Sequence, residues 1–436
     1  MDENILVFQF DAFTHAFVLQ CKKTNVDDCP ICPKITMLTH SHGHGGDTIK
    51  ITGENFNPAF LSNVVHFNGS LVADSDMISG NATELIVRVP SKCGTGKVSV
   101  AKDADLVSAT SPLFTYDYEL SVSTFSSLWL SGPHDIVFNP VDKCLYIAES
   151  GKHCILKCDK AGNISVYAGK WGDSGYANSS DRLQAQFNNP EALTCDSSGN
   201  LYVADSYNNC IRRIINGGPV ETFCGTNTSG DMTGSPGSSR FHWPSGICIS
   251  NGGHYLYVSD RVNNKIIRIN VSDGTSSPYS GSGVSGHLDG SKLSAQFGTI
   301  YHLTIDDNDI LYVTEQDKQY IRQVATNGYA STIAGTGISG YIIDTLAIHS
   351  PVNHPVGINY YRLKGQEILY VFDGNRIRQI TMSHLLDFAG TGNSGSSDGS
   401  ITQATFSSPR ACAFDDEGNM YVADAGNGLI RKITLD

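Results

Sequence analysis

The sequence predicts an all-β protein: a small β-sandwich followed by a six-bladed β-propeller. Three observations carry that prediction. A short segment of the form Leu-Tyr-Val-Ala-Asp occurs six times at a spacing of about 55 residues. The composition joins turn formers to β-favouring aromatics, with 44 glycines, 19 tyrosines and 18 phenylalanines. A stretch ahead of the repeats shows alternating strands of its own without that repeat.

The repeat begins at Leu145-Tyr-Ile-Ala-Glu149 and returns as Leu201-Tyr-Val-Ala-Asp205 and Leu256-Tyr-Val-Ser-Asp260. It continues as Leu311-Tyr-Val-Thr-Glu315, Leu369-Tyr-Val-Phe-Asp373 and Met420-Tyr-Val-Ala-Asp424. Copies open on a Phe-x-x-Pro pattern at Phe187-Asn-Asn-Pro190, Phe241-His-Trp-Pro244 and Phe406-Ser-Ser-Pro409. An apolar strand and a polar turn precede the tyrosine strand. A third strand carries Ile-Arg, as in Ile211-Arg212, Ile321-Arg322, Ile377-Arg378 and Ile430-Arg431. A fourth ends in Ala168-Gly169, Cys224-Gly225, Ala334-Gly335 or Ala389-Gly390. Four short antiparallel strands, repeated six times, describe propeller blades rather than a solenoid.

The last copy stops at Ile433-Thr-Leu-Asp436, without a fourth strand. Leu120-Ser-Val-Ser-Thr-Phe125 resembles one, so this N-terminal strand is expected to complete the last blade and remove an exposed edge. The blade grammar over residues 119–436 resembles the NHL repeat family.

Residues 34–118 carry Gly45-Gly-Asp-Thr-Ile-Lys-Ile-Thr-Gly-Glu-Asn-Phe56, which resembles the signature of IPT/TIG domains. Alternating strands follow at Val65–Gly69, Leu85–Pro90, Lys97–Val100 and Leu113–Tyr116. The resemblance implies an immunoglobulin-like sandwich acting as a spacer or adhesive module. Residues 1–33 form a linker with cysteines at 21, 29 and 32. Within it, Ile5 to Leu19 suits a β-strand, although a signal peptide remains open; acidic Asp2, Glu3 and Asp11 stand where a basic flank is expected.

The formal net charge of −13 opposes a nucleic-acid partner. No stretch reaches the roughly 20 apolar residues of a membrane span. Six glycosylation sequons stand at Asn68, Asn81, Asn163, Asn178, Asn227 and Asn270. Two hairpins place cysteines symmetrically about a turn, Cys144 and Cys158 about Gly151, and Cys210 and Cys224 about Gly217. Opposed hairpin residues approach disulfide distance, so Cys144–Cys158 and Cys210–Cys224 are expected bridges in an oxidising compartment. Cys195, Cys248 and Cys412 lie on inner strands and read as core thiols. Cys29-Pro-Ile-Cys32 lacks a second pair at zinc spacing and reads as a disulfide-linked hinge, with Cys93 a partner to consider.

Two motifs have plain readings. Gly172-Asp-Ser-Gly175 matches a serine-protease tetrapeptide, yet Gly281–Gly286 and Gly392–Gly395 occupy the same loop in other blades. His40, His42 and His44 alternate, but the glycines around them indicate a solvated loop.

Aligning the blades puts His134, Glu191, Ser245, Tyr301, Val356 and Arg410 in one column, followed by Asp135, Ala192, Gly246, His302, Gly357 and Ala411. Both columns belong at one mouth of the central channel. His134, Asp135, Glu191, Tyr301, His302 and Arg410 are the candidate ligands there. The resemblance implies that some relatives are zinc-dependent lyases and that related folds hold calcium on the axis. The expectation is nevertheless no cofactor and no catalysis, with a metal-dependent lyase or hydrolase as the alternative. Trp171, Tyr176, Trp243, Tyr279 and Tyr341 are candidate stacking residues for sugars or anchors for a protein. The expected function is recognition, adhesion or assembly outside the cell, with a glycan, an extracellular protein or further copies of the chain as partner. A structural variant has residues 5–19 pairing with a neighbouring sheet edge to build a fibre.

Overall fold

The computed structural model describes residues 8–10, 17–19, 31–91, 93–102, 106–108, 112–116, 120–126, 129–342, 345–363, 365–381 and 383–434. The protein is all-β, in two compact units, the second beginning at Leu120. Ahead of the first unit's sandwich, Phe8–Phe10 and Phe17–Leu19 pair with each other antiparallel.

In the first unit, strands Lys34–Leu38, Thr48–Glu54, Glu84–Arg88 and Met77–Gly80 form one sheet in that order. Gly96–Lys102, flanked by Asn63–Phe67 and Leu113–Tyr116, centres the other. Burial alternates along Thr48–Glu54, so Ile49 and Ile51 enter the core with Val65, Phe67, Leu85, Val87, Val98, Val100 and Phe114. The signature glycine has a steric reason: a Cβ on Gly53 would meet the Lys34 carbonyl oxygen of the adjoining strand and the Phe56 ring.

The second unit consists of six antiparallel sheets; four run in sequence order, the fifth adds Thr345–Leu346 beyond its last strand, and the sixth takes Ser121–Thr124 and Gly399–Ser400 beyond Leu429–Thr434. Their first strands are Pro133–Asn139, Pro190–Cys195, Pro244–Ile249, Ile300–Ile305, Pro355–Leu363 and Pro409–Phe414. Each first strand packs against the next, and Pro409–Phe414 packs back on Pro133–Asn139. In the sixth sheet, Ser121–Thr124 pairs antiparallel with Leu429–Thr434, from Ser121 opposite Thr434 to Thr124 opposite Arg431.

The Ile-Arg motif has a structural role. Arg212, Arg322, Arg378 and Arg431 are fully buried, and each pairs with the acid ending its own sheet's second strand. The same guanidiniums donate to carbonyls of the preceding loop, as Arg212 does to Gln186 and Ala177. Such a pair offsets its desolvation only when the remaining donors are satisfied, and these loop carbonyls satisfy most of them. Sheets one and three have Leu156 and Ile267 at the arginine position, leaving Glu149 and Asp260 without that partner. Burial pushes both carboxyls up to about 7.

The two expected hairpin disulfides are corrected. Cys158 pairs with Leu145, one residue past Cys144, because the loop Ser150 to His153 holds an even number of residues. Cys144 therefore packs with the cluster between sheets one and two, and Cys158 with the cluster on the opposite face. In the second sheet a bulge at Phe223 shifts the register, setting Cys224 opposite Ile211 and Cys210 opposite Gly225. Neighbouring residues on a strand point to opposite faces, so neither pair can meet, and all four thiols are free. Cys195, Cys248 and Cys412 are also free, and Cys248 and Cys412 are buried. Cys32 is disulfide-bonded. Cys21 and Cys29 lie outside the described residues.

Candidate functional site

Each first strand begins with an irregularity that aims one side chain out of the ladder. The register breaks between Pro133 and Asp135, Pro190 and Ala192, and Pro244 and Gly246. It breaks again between Ile300 and Leu303, Pro355 and Gly357, and Pro409 and Ala411. The displaced residues are His134, Glu191, Ser245, Tyr301 (with His302), Val356 and Arg410, which is the column aligned from sequence. A bulge re-aims a side chain in this way wherever a strand gives up one ladder position.

Several of these residues converge. Glu191 accepts from both terminal nitrogens of Arg261, at 3.0 and 3.3 Å, and from Asn189 Nδ2 at 2.9 Å. Arg410 Nη1 donates to the Tyr301 hydroxyl at 2.6 Å. The Arg261 and Arg410 guanidiniums lie 5.2 and 5.4 Å from the Tyr301 ring centroid. Nδ1 of His134 is buried with no hydrogen-bond partner. Burial first, then the charges of Arg410 and Arg261, hold its imidazole down at about 3, so it is neutral across the physiological range. Burial raises Glu191, offset by Arg261 and Arg410. Two guanidiniums thus face one carboxylate, a local excess of positive charge in an acidic chain.

The remaining candidate ligands are committed elsewhere. Asp135 accepts the backbone N–H of Ile136 at 2.8 Å and that of Leu193 in the next sheet at 2.9 Å. His302 Nδ1 bonds the Ile358 carbonyl at 3.1 Å, and its Nε2 stands 3.6 Å from Asp135. Both residues staple successive inner strands, so they do not join His134 and Glu191 as a four-ligand set. Among the described residues no group of three His, Cys, Asp or Glu is placed to hold a metal ion. His40 and His42 are exposed and His44 is half-buried.

An aromatic step adjoins the charged cluster. Trp243 is 41% exposed and lies 5.5 Å, centroid to centroid, from Tyr207, itself 49% exposed. The Arg261 guanidinium sits 5.7 Å from the Trp243 ring, joining the step to the ring of bulged residues. Trp243 has a φ of 54°, where its counterparts are Asn189, His354 and Ser408. Asn209 Oδ1 accepts its N–H at 3.2 Å, and Asp260 accepts that of His242 at 2.7 Å. A bulky side chain in the left-handed region is unusual, and strain of this kind gathers at functional positions.

The other aromatic candidates are placed differently. Tyr279 is buried, packed on Tyr257 with its hydroxyl on the Ala325 carbonyl, which removes it as a stacking platform. Tyr176 and Tyr341 lie over the buried Arg212 and Arg378 and serve as lids on them. Trp171 is 47% exposed beside Lys152. Asn68, Asn81, Asn163, Asn178 and Asn227 are exposed and Asn270 is half-buried. The protease-like tetrapeptide is a loop in which Gly172 takes a φ of 77° and Asp173 accepts from Gln186. Sequence reasoning missed Arg261 and Tyr207. Arg261 follows the repeated signature directly and is the basic residue in a column otherwise filled by Ser150, Ser206, Gln316, Gly374 and Ala425.

Fold and site together define a β-propeller protein whose bulged strand starts bring polar side chains together beside exposed aromatics. More particularly, residues 33–118 match the IPT/TIG domain and residues 170–340 match the Teneurin NHL domain, so the chain is similar to NHL-repeat proteins over its second unit. Relatives include Protein SUPPRESSOR OF QUENCHING 1, chloroplastic, of Arabidopsis thaliana, 26% identical over 70% of this chain and 30% of that protein. Mouse Teneurin-4 is 24% identical over 68% of this chain and 10% of its own length. Human NHL repeat-containing protein 2 is 24% identical over 70% of this chain and 46% of its own length. The chain therefore spans less than half the length of these relatives. Among solved structures, a protein of unknown function from Bacteroides thetaiotaomicron superposes with a TM-score of 0.64 at 16% identity, covering 94% of this chain and 99% of that one. That likeness concerns the fold.

The expectation of a protein without catalysis is corrected by the same comparisons. Similar structures include a streptogramin B lyase, with a TM-score of 0.48 at 16% identity over 73% of this chain and 98% of that one. They also include a Xanthomonas campestris gluconolactonase, with a TM-score of 0.48 at 12% identity over 73% of this chain and 90% of that one. Both likenesses concern the fold. No helix among the described residues is long and apolar enough to cross a membrane.

Proposed function

We propose that the chain is an extracellular recognition or assembly glycoprotein. It binds a glycan or a protein through the face that carries Tyr207, Trp243 and the ring of bulged residues. The six sheets act as six blades, Ser121–Thr124 closing the ring as the outer strand of the last, and the front domain acts as a spacer. The observation that carries this reading is the exposed Tyr207–Trp243 step, whose tryptophan is anchored through Asn209 beside a cluster of partly buried charges. Exposed aromatics held in one orientation lose little freedom on binding and present a large contact area. The exposed sequons and the bonded Cys32 support the extracellular setting.

The test is binding of the native protein to an array of glycans and candidate surface proteins, repeated with Trp243→Ala and Tyr207→Ala. Loss of binding at an unchanged melting temperature supports the reading. A ligand bound equally well by both variants would overturn it.

A further inference from the structure

The mouth also indicates the chemistry of its ligand. Glu191 shows how a carboxylate sits here, in a two-pronged contact with Arg261. Arg410 carries the same planar fork, yet its polar contact in the mouth is the Tyr301 hydroxyl, and among the described residues it forms no ion pair. His134, close enough to feel the charge of Arg410, adds a buried ring nitrogen without a partner. The fork of a guanidinium matches a carboxylate bidentately, and a partly dehydrated site strengthens that contact. Beside it, Trp243 and Tyr207 offer a flat apolar surface of the kind that stacks against the C–H face of a sugar ring.

We propose that this mouth binds an acidic sugar, its carboxylate held by Arg410 with His134 and Tyr301 and its ring resting on Trp243 and Tyr207. The proposal rests on the recognition reading above and names the ligand class for that face. It favours a uronic acid unit over a neutral sugar because Arg410 has no carboxylate of its own. In a chain with a formal net charge of −13, the paired guanidiniums of Arg261 and Arg410 make a local site of the opposite sign.

The experiment is calorimetric titration of the native full chain with trigalacturonate and with its methyl ester, which keeps the sugar and removes the charge. The acid should bind at least tenfold more tightly than the ester. Arg410→Gln should weaken the acid at least tenfold and leave the ester unchanged, whereas Trp243→Ala should weaken both. Tyr301→Phe, which removes one hydroxyl and retains the ring, guards against misfolding and should alter affinity for the acid alone. Equal affinity for acid and ester, or an Arg410→Gln variant that binds like the parent, overturns the acidic-sugar proposal while glycan recognition survives. If neither form binds, this proposal falls; if the array is also blank, the recognition reading falls with it.

Discussion

Arg410 of the sixth sheet donates a 2.6 Å hydrogen bond to the Tyr301 hydroxyl of the fourth, while the fifth sheet supplies only Val356 at the equivalent position. Residues 109 apart in the chain meet because each is the bulged residue of its strand. The contact puts a cation over an aromatic ring shared with Arg261, and the imidazole of His134 feels both charges.

His134 should therefore stay neutral in the folded protein until the pH falls to about 3. In Arg410→Ala its pKa should rise, though short of the ordinary value, because burial is the larger cause. Ring-proton NMR titration checks this. With the folded pKa below the unfolded one, the unfolded chain binds the extra proton, so stability falls as the pH drops from about 6.5 toward 3. A His134→Asn variant should lose part of that slope.

Glu149 and Asp260 should act in the opposite direction. Their folded pKa values, about 7, exceed the ordinary carboxylate values. The stability they contribute is fully present below the unfolded pKa and is lost as the pH rises toward 7, by up to roughly 1.4 kcal/mol per pH unit for each group. Glu149→Gln should gain on the parent between pH 5 and pH 8 in urea denaturation. A parallel pair of curves would refute the assignment.

Sheets two, four, five and six should not tolerate the loss of the same acid. Asp205→Asn strands the fully buried Arg212 and should cost roughly 3–5 kcal/mol, read from the denaturation midpoint. Adding Arg212→Leu, which places the leucine that sheet one has at this position, should recover part of that loss.

Gly357→Ala should disturb the mouth from beneath. A Cβ at this position would fall on the Arg410 carbonyl oxygen, so the inner strand of the sixth sheet must move. Overpacking of this kind costs roughly 1–3 kcal/mol. The His134 ring signal should shift with it, whereas an alanine at exposed Gly365, tested in parallel, should leave that signal in place.

Peptide mapping without reduction should find Cys144, Cys158, Cys210 and Cys224 as free thiols and Cys32 in a disulfide. A peptide linking Cys144 to Cys158 would show that the hairpin register differs from the one described.

The placement of the sheets was readable because a repeat reports its own boundaries. Six tyrosine strands, six strand starts and the buried Ile-Arg pairs all follow a local pattern of side-chain alternation. The column of His134, Glu191, Tyr301 and Arg410 could be aligned for the same reason. Registers were a different matter. One extra residue in the turn after Glu149, and one bulge at Phe223, moved each cysteine to the wrong face. Neither leaves a mark in composition or spacing.

The sequence by itself determined the all-β class, the repeat and the side chains available at the mouth, because these depend on periodicity along one strand. Only the tertiary structure decided which of them meet. Arg261 claims Glu191, Arg410 reaches Tyr301, and Asp135 with His302 turns away to staple neighbouring strands. The physical reason is that bulges and turns set side-chain direction, while the partners that satisfy each charge come from strands distant in the chain.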